Sequence, residues 1–270
     1  MIETSKILLF TMETDPEQQY YLYAPEGPIR GTWVSIHGIS INADKHAEML
    51  SPYAQQGGFL LVVPVFTKGH CPSYNIFGKN KSNVRVDLQL IRILKEVQKI
   101  TGIPTKPFFL FGYSAGGQFT HRFMMNYPEL VRAGIVCSPG NYTFPIWDAE
   151  YPYGLSGMEE AVGRKFDLDR FLHIPVMVNV GENDVLRTAN FLQTEELDRV
   201  QGRSRVERAR RWFDCIRSLA EERGICTDQR FELLPGVGHG FEDTMQKTNL
   251  GELSLRFLLS HCEDPVGNDE

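Results

Sequence analysis

Phe108-Phe109-Leu110-Phe111-Gly112-Tyr113-Ser114-Ala115-Gly116-Gly117 runs from an apolar stretch into a serine set between glycines, and residues 115–126 after it carry a helical pattern that stops before Pro128. The apolar stretch reads as a buried strand and the rest as a helix, so the serine falls on the turn between them. G-x-S-x-G alone is a common pentapeptide. Between a strand and a helix it has a mechanical meaning: the turn is tight enough to force a strained backbone angle on the serine, and glycines on either side let strand and helix close around it. Ser114 is therefore the candidate nucleophile.

Outward from this turn, short apolar runs alternate with amphipathic ones. Residues 6–12 and 19–24 predict two strands joined at the turn-prone Asp15-Pro16, paired antiparallel. Residues 32–36 predict a third strand. Residues 59–66 (FLLVVPVF) are apolar almost without interruption, as a strand buried on both faces requires. Val86, Leu90, Ile93, Leu94 and Val97 share a helix face that Gly102 and Pro104 end. Strands follow at 134–137, 176–180 and 231–234, with helices through Val206–Ala220 positions and 250–259. Strands alternating with helices imply an α/β fold, a mostly parallel central sheet flanked by helices on both faces. One domain over 1–262 is expected, with 263–270 as a frayed tail. One segment breaks the alternation. Residues 139–174 hold Tyr142, Phe144, Trp147, Tyr151 and Tyr153 among prolines and glycines, and predict an ordered, non-helical, aromatic-rich insertion over the active site.

A serine hydroxyl needs a base, and in this topology the order is serine, acid, histidine. His239, in Gly236-Val237-Gly238-His239-Gly240, follows the last strand and is the candidate base. Asp184, in Val180-Gly181-Glu182-Asn183-Asp184, sits at the carboxyl end of a strand and is the candidate acid, with Glu182 as its rival two residues away. An oxyanion needs backbone donors. Ala115 N–H follows the nucleophile; the second is expected from His37-Gly38-Ile39-Ser40, with Ile39 preferred and Ser40 the other choice. His37 then braces its loop and is not the base. The expected substrate wall comprises Ser40, Tyr113, Tyr142, Phe144, Trp147 and Tyr153, and its rings suggest an aryl, hydroxycinnamoyl or macrocyclic lactone ester.

Composition narrows the partners. The net charge of −6 lacks the dense basic face that nucleic acid or anionic membrane would need. The longest early apolar run, 7–10, lies between Glu3 and Glu13 and is too short for a secretory signal, so a cytoplasmic location is expected. Cys71, Cys137, Cys215, Cys226 and Cys262 are odd in number and scattered, which suits reduced, mostly buried thiols. No zinc spacing and no HExxH occur, so no metal or cofactor is expected. A small-molecule ester is the expected partner.

The chain resembles the α/β-hydrolase superfamily over nearly its whole length. Within it, the polyhydroxybutyrate-depolymerase-like and feruloyl-esterase-like branch is similar at three places: His37-Gly38-Ile39-Ser40-Ile41-Asn42-Ala43, Gly112-Tyr113-Ser114-Ala115-Gly116-Gly117-Gln118, and Ser138-Pro139-Gly140-Asn141-Tyr142-Thr143. Gln201-Gly202-Arg203-Ser204-Arg205 and Glu207-Arg208-Ala209-Arg210 also look like that branch. The resemblance implies the α/β-hydrolase fold, a serine triad and carboxylic-ester hydrolysis, and does not imply a polymer substrate. Amide or carbon–carbon bond cleavage by the same triad stays open, as does a non-catalytic small-molecule-binding role. The basic residues after Gln201 could meet an anionic substrate; the interspersed acids favour a solvated, salt-bridged helix face instead.

Overall fold

In the computed structural model, which describes residues 2–188 and 191–262, an eight-stranded sheet runs in the order β1-β2-β4-β3-β5-β6-β7-β8. β1 (Ile7–Met12) and β2 (Asp15–Tyr23) pair antiparallel, and β2 pairs antiparallel with β4 (Phe59–Val65). β3 (Gly31–Ile36), β5 (Phe108–Tyr113), β6 (Val131–Cys137), β7 (Val176–Gly181) and β8 (Gln229–Leu234) continue the sheet in parallel from β4. Asp15-Pro16 does not form the first turn. Met12 pairs with Asp15, so Glu13 and Thr14 turn the chain and Asp15 opens β2.

Alternate residues of β4 enter two separate cores. Leu60 and Val62 face α2 (Val86–Thr101), α3 (Ala115–Asn126) and α7 (Arg205–Glu222); Leu61 and Val63 face α1 (Ala43–Gly57), α8 (Phe241–Lys247) and α9 (Leu250–Leu259). That two-sided burial is why the strand reads as a continuous apolar run. α1 and α8 lie outside the helices expected from sequence. α1 has Pro52 in its interior, and α8 is only 7 residues long, so neither offers a long clean period.

The segment between β6 and β7 is not wholly irregular. It contains two short helices, α4 (Met158–Val162) and α5 (Leu168–Leu172), each of 5 residues, too short to show a period. The expected tail at 263–270 lies outside the described residues.

The sheet order places the site. From β3 the chain moves one way to β4, then crosses back to the other side of β3 to form β5. The loops leaving the carboxyl ends of β3 and β5 therefore diverge, and a crevice opens between them. Among the described residues no helix is long and apolar enough to cross a membrane.

Candidate active site

Ser114 stands at the crevice with φ 56° and ψ −116°, the strained elbow conformation expected of it. Its neighbours explain how the strain is held. A Cβ on Gly116 would stand 2.0 Å from Ile36 O, and one on Gly112 would stand 2.2 Å from Gly116 O. Only glycine lets α3 approach β3 and β5 this closely. Ser114 N donates to Cys137 O at 2.8 Å, which ties the turn to β6.

His239 comes from the loop after β8, and its Nε2 lies 2.9 Å from Ser114 Oγ. Its Nδ1 lies 2.7 Å from Asp184 Oδ2. The loops carrying Asp184 and His239 are zipped together: Glu182 N donates to Leu234 O at 2.8 Å and Asn183 N to Val237 O at 2.9 Å. Gly181 is needed there, because a Cβ would meet Gly238 O at 2.5 Å. Glu182 turns away and accepts from Gly236 N at 3.0 Å, so Asp184 is the carboxylate that reaches the imidazole.

Asp184 is buried, and its second oxygen accepts from Arg205 Nη1 at 3.1 Å. This partner was not foreseen. Arg205 opens α7 and is only 4% exposed, as is fitting for a group paired with a buried acid. The expected solvated face holds for Arg203, Arg210, Arg211 and Arg217, but not for Arg205 and Arg208. Arg208 is fully buried and donates to Gly140 O at 2.6 Å and Gly202 O at 2.9 Å. Gln201, at the end of α6 (Glu195–Gln201), grips Tyr142 by two hydrogen bonds, 2.9 Å to its N–H and 2.7 Å to its carbonyl. The stretch after β7 thus clamps the start of the insertion.

His37 is buried and braces the loop after β3. Its Nδ1 donates to Gly38 O at 2.7 Å and its Nε2 accepts from Phe66 N at 2.9 Å. Burial pushes its pKa down to about 4, so the ring is neutral. Ile39, 46% exposed, lines both cavities that Ser114 lines, and a Cβ on Gly38 would stand 3.5 Å from Ser114 Cβ. Ala115 N–H is the first of α3 and has no intrahelical acceptor. Ser40 Oγ donates to Asn42 Oδ1 at 3.1 Å.

Two cavities meet at Ser114, Ile39 and His239. The smaller, about 360 Å³, is lined by Ser40, Tyr113, Glu242 and Asp243; the larger, about 520 Å³, by Asn75, Gln118, Asn141, Tyr153 and Arg205. Ser40, Tyr113 and Tyr153 thus reach the crevice, but three expected wall residues do not. Tyr142 is fully buried, its ring stacked on Trp212 at 5.0 Å between centroids. Phe144 packs into the core on the α2–α3–α7 face. Trp147 is 70% exposed and lines neither cavity. The insertion's rings are spent mainly on anchoring, because a segment without long helices of its own must bury side chains to be ordered.

Among the described residues no group of three or more His, Cys, Asp or Glu side chains is placed to hold a metal ion. All five cysteines are free; Cys71 and Cys137 are buried, Cys215 and Cys262 half-buried and Cys226 exposed.

A parallel sheet with antiparallel strands at one edge, a serine elbow at the topological switch, and an acid and histidine from the loops after β7 and β8 together define the α/β-hydrolase fold. Solved structures agree. The chain is similar to poly(aspartic acid) hydrolase-1 from Sphingomonas sp. KT-1 (TM-score 0.78, 23% identity, covering 94% of this chain and 99% of that one). It is similar to a poly(3-hydroxybutyrate) depolymerase from Bordetella parapertussis (TM-score 0.74, 24% identity, 96% and 90% covered). It also matches an S-formylglutathione hydrolase from Agrobacterium tumefaciens (TM-score 0.63, 13% identity, 95% of each chain). No protein-family model and no curated protein matches it.

Proposed function

We propose that this chain is a serine hydrolase that cleaves a carboxylic ester through an acyl-enzyme. The observation that carries the reading is the unbroken line from Ser114 Oγ to His239 Nε2 (2.9 Å) and from His239 Nδ1 to Asp184 Oδ2 (2.7 Å), open to two cavities. His239 takes the Ser114 proton as Oγ attacks the acyl carbon, and Asp184 holds the ring and stabilises the imidazolium. The Ala115 and Ile39 amides receive the oxyanion; each such donor is worth about 2.7–4 kcal/mol in the transition state. His239 then protonates the departing alcohol. Water, deprotonated by the same ring, attacks the acyl carbon, and collapse of the second intermediate returns the proton to Ser114 and frees the acid.

The similar structures are named for substrates as unlike as poly(aspartic acid), poly(3-hydroxybutyrate) and S-formylglutathione, so the frame does not choose the substrate. An aromatic preference loses its support, since Tyr153 alone of the four expected insertion and wall rings beyond Tyr113 reaches a cavity. Ser114→Ala is expected to fold normally, with the turnover of p-nitrophenyl butyrate reduced at least about 10⁴-fold. A fluorophosphonate probe is expected to label Ser114 of the native chain. Full turnover by Ser114→Ala moves the nucleophile elsewhere, and absence of labelling favours a non-catalytic binding role.

A further inference from the structure

We propose that the larger cavity beside Ser114 is built to receive a carboxylate, so that the preferred substrate carries an anionic group on one side of its scissile bond; this rests on the serine-hydrolase reading above. Arg122 on α3 is fully buried and has no carboxylate partner among the described residues. Its Nε donates to Thr143 Oγ1 at 2.9 Å, its Nη1 to Asn75 O at 3.0 Å and Gln118 O at 3.2 Å, and its Nη2 to Asn141 Oδ1 at 2.8 Å and Pro152 O at 3.1 Å. Every one of these acceptors is neutral. Burial pulls this guanidinium down to about 10, which leaves it protonated at neutral pH.

A guanidinium only donates, so it dictates which way its amide neighbours face. Asn141 must turn Oδ1 toward Arg122, and Gln118 turns Oε1 toward Arg122 Nη1 (3.5 Å) and Asn75 Nδ2 (2.9 Å). The ends left over are the NH₂ groups of Gln118 and Asn141. Both residues line the cavity, and no acceptor among the described residues takes either group. Arg205 lines it too, and its buried Nε has no acceptor. Asn75, having donated to Gln118, keeps Oδ1 as the acceptor end of this wall.

The charges point the same way. No Asp or Glu lines the larger cavity, whereas Glu242 and Asp243 line the smaller one. Arg205 is offset by Asp184, so the Arg122 charge is left over beneath the floor. A buried cation without a counter-ion is costly, and an acceptor-only anion in the adjoining cavity relieves that cost. A carboxylate supplies lone pairs for the two unfilled amide NH₂ groups and the missing negative charge. A neutral carbonyl supplies fewer lone pairs and no charge.

The test compares mono-p-nitrophenyl esters of succinate, glutarate and adipate with p-nitrophenyl esters of neutral acids of equal length, together with calorimetric titration of free glutarate. The best anionic ester is expected to exceed its neutral counterpart at least tenfold in kcat/KM, with the preference shrinking as NaCl is raised. Gln118→Glu sets a carboxylate beside Arg122 and is expected to lower the anionic-to-neutral ratio at least tenfold and to abolish glutarate binding. Asn141→Asp does the same from the other amide if Gln118→Glu does not fold. Equal or lower kcat/KM for every anionic ester overturns the proposal while leaving the hydrolase reading intact. If neither ester class is turned over, fluorophosphonate labelling judges the hydrolase reading separately. The glutarate titration still decides the cavity: binding lost in Gln118→Glu supports it, and no binding to the native chain overturns it.

Discussion

Asp184 serves two donors at once, His239 at Oδ2 and Arg205 at Oδ1, and among the described residues neither oxygen has another partner. An asparagine offers one acceptor and one NH₂, so it must set a donor against either a donor-only guanidinium or the Nδ1–H of the working tautomer. Asp184→Asn is therefore expected to lower kcat about 10³–10⁴-fold, by misplacing the tautomer of the base. Glu182→Gln keeps the acceptor for Gly236 N and is expected to leave turnover close to the native rate. Steady-state kinetics on the two variants checks the assignment; loss of activity in Glu182→Gln alone reverses it. The sequence favours Asp184 over Glu182, but both lie on one short loop and the chain alone does not show where each carboxylate points. The hydrogen bonds that lock Glu182 N and Asn183 N to the neighbouring loop settle their directions.

Among the elements, α7 does the most for the site, and its start is capped by Ser204 and braced by Glu207. Ser204 Oγ accepts from Glu207 N at 3.1 Å, and Glu207 Oε2 accepts from Arg203 N at 3.0 Å. This fixes the first turn, from which Arg205 reaches Asp184 and Arg208 reaches Gly140 O. Ser204→Ala is expected to cost about 1 kcal/mol of stability, read as a lowered melting temperature. A melting temperature equal to the native one would show that the cap is dispensable. The amphipathic period of α7 was legible in the chain; the cap at Ser204 was not read from it. Nor was the inward turn of Arg205 and Arg208. Their charges look like those of their exposed neighbours, and burial depends on the packing partners that the insertion and Phe191 supply. The guanidinium of Arg208 lies 4.0 Å, and that of Arg205 4.7 Å, from the Phe191 ring centroid.

Across the molecule, three of the four buried histidines, His37, His46 and His121, have no carboxylate partner among the described residues. Burial pulls all three below the ordinary value of 6.5, His37 to about 4. His121 shows why neutrality matters: its Nδ1 donates to Gly117 O at 2.9 Å and its Nε2 accepts from Thr143 N at 2.8 Å, which a protonated ring cannot do. Because the folded pKa values are depressed, the unfolded chain binds these protons first. The stability they contribute is complete above about pH 6.5 and is lost as pH falls toward the folded values. His37 alone accounts for roughly 3 kcal/mol by pH 4. Denaturant unfolding between pH 7 and pH 4 is expected to show a steep loss, made shallower in His121→Gln after allowance for its lower stability at pH 7. An unchanged slope would mean that these rings are not buried neutral.

The sequence by itself determined the alternation of strands and helices, the elbow at Ser114, and the order of Ser114, Asp184 and His239. These are written in local periods and in glycines whose neighbours leave no room for a Cβ, so they survive without three-dimensional context. Tertiary structure alone decided which side chains face the substrate. Tyr142, Phe144 and Trp147 look suited to a pocket wall, but two are drawn into the interior and one is left in solvent. Arg122, Gln118 and Asn141 look like ordinary polar residues, yet they meet under the cavity. Hydrophobic burial is scarcely directional and takes the nearest ring to the nearest gap, whereas a buried guanidinium fixes the facing of every amide it touches.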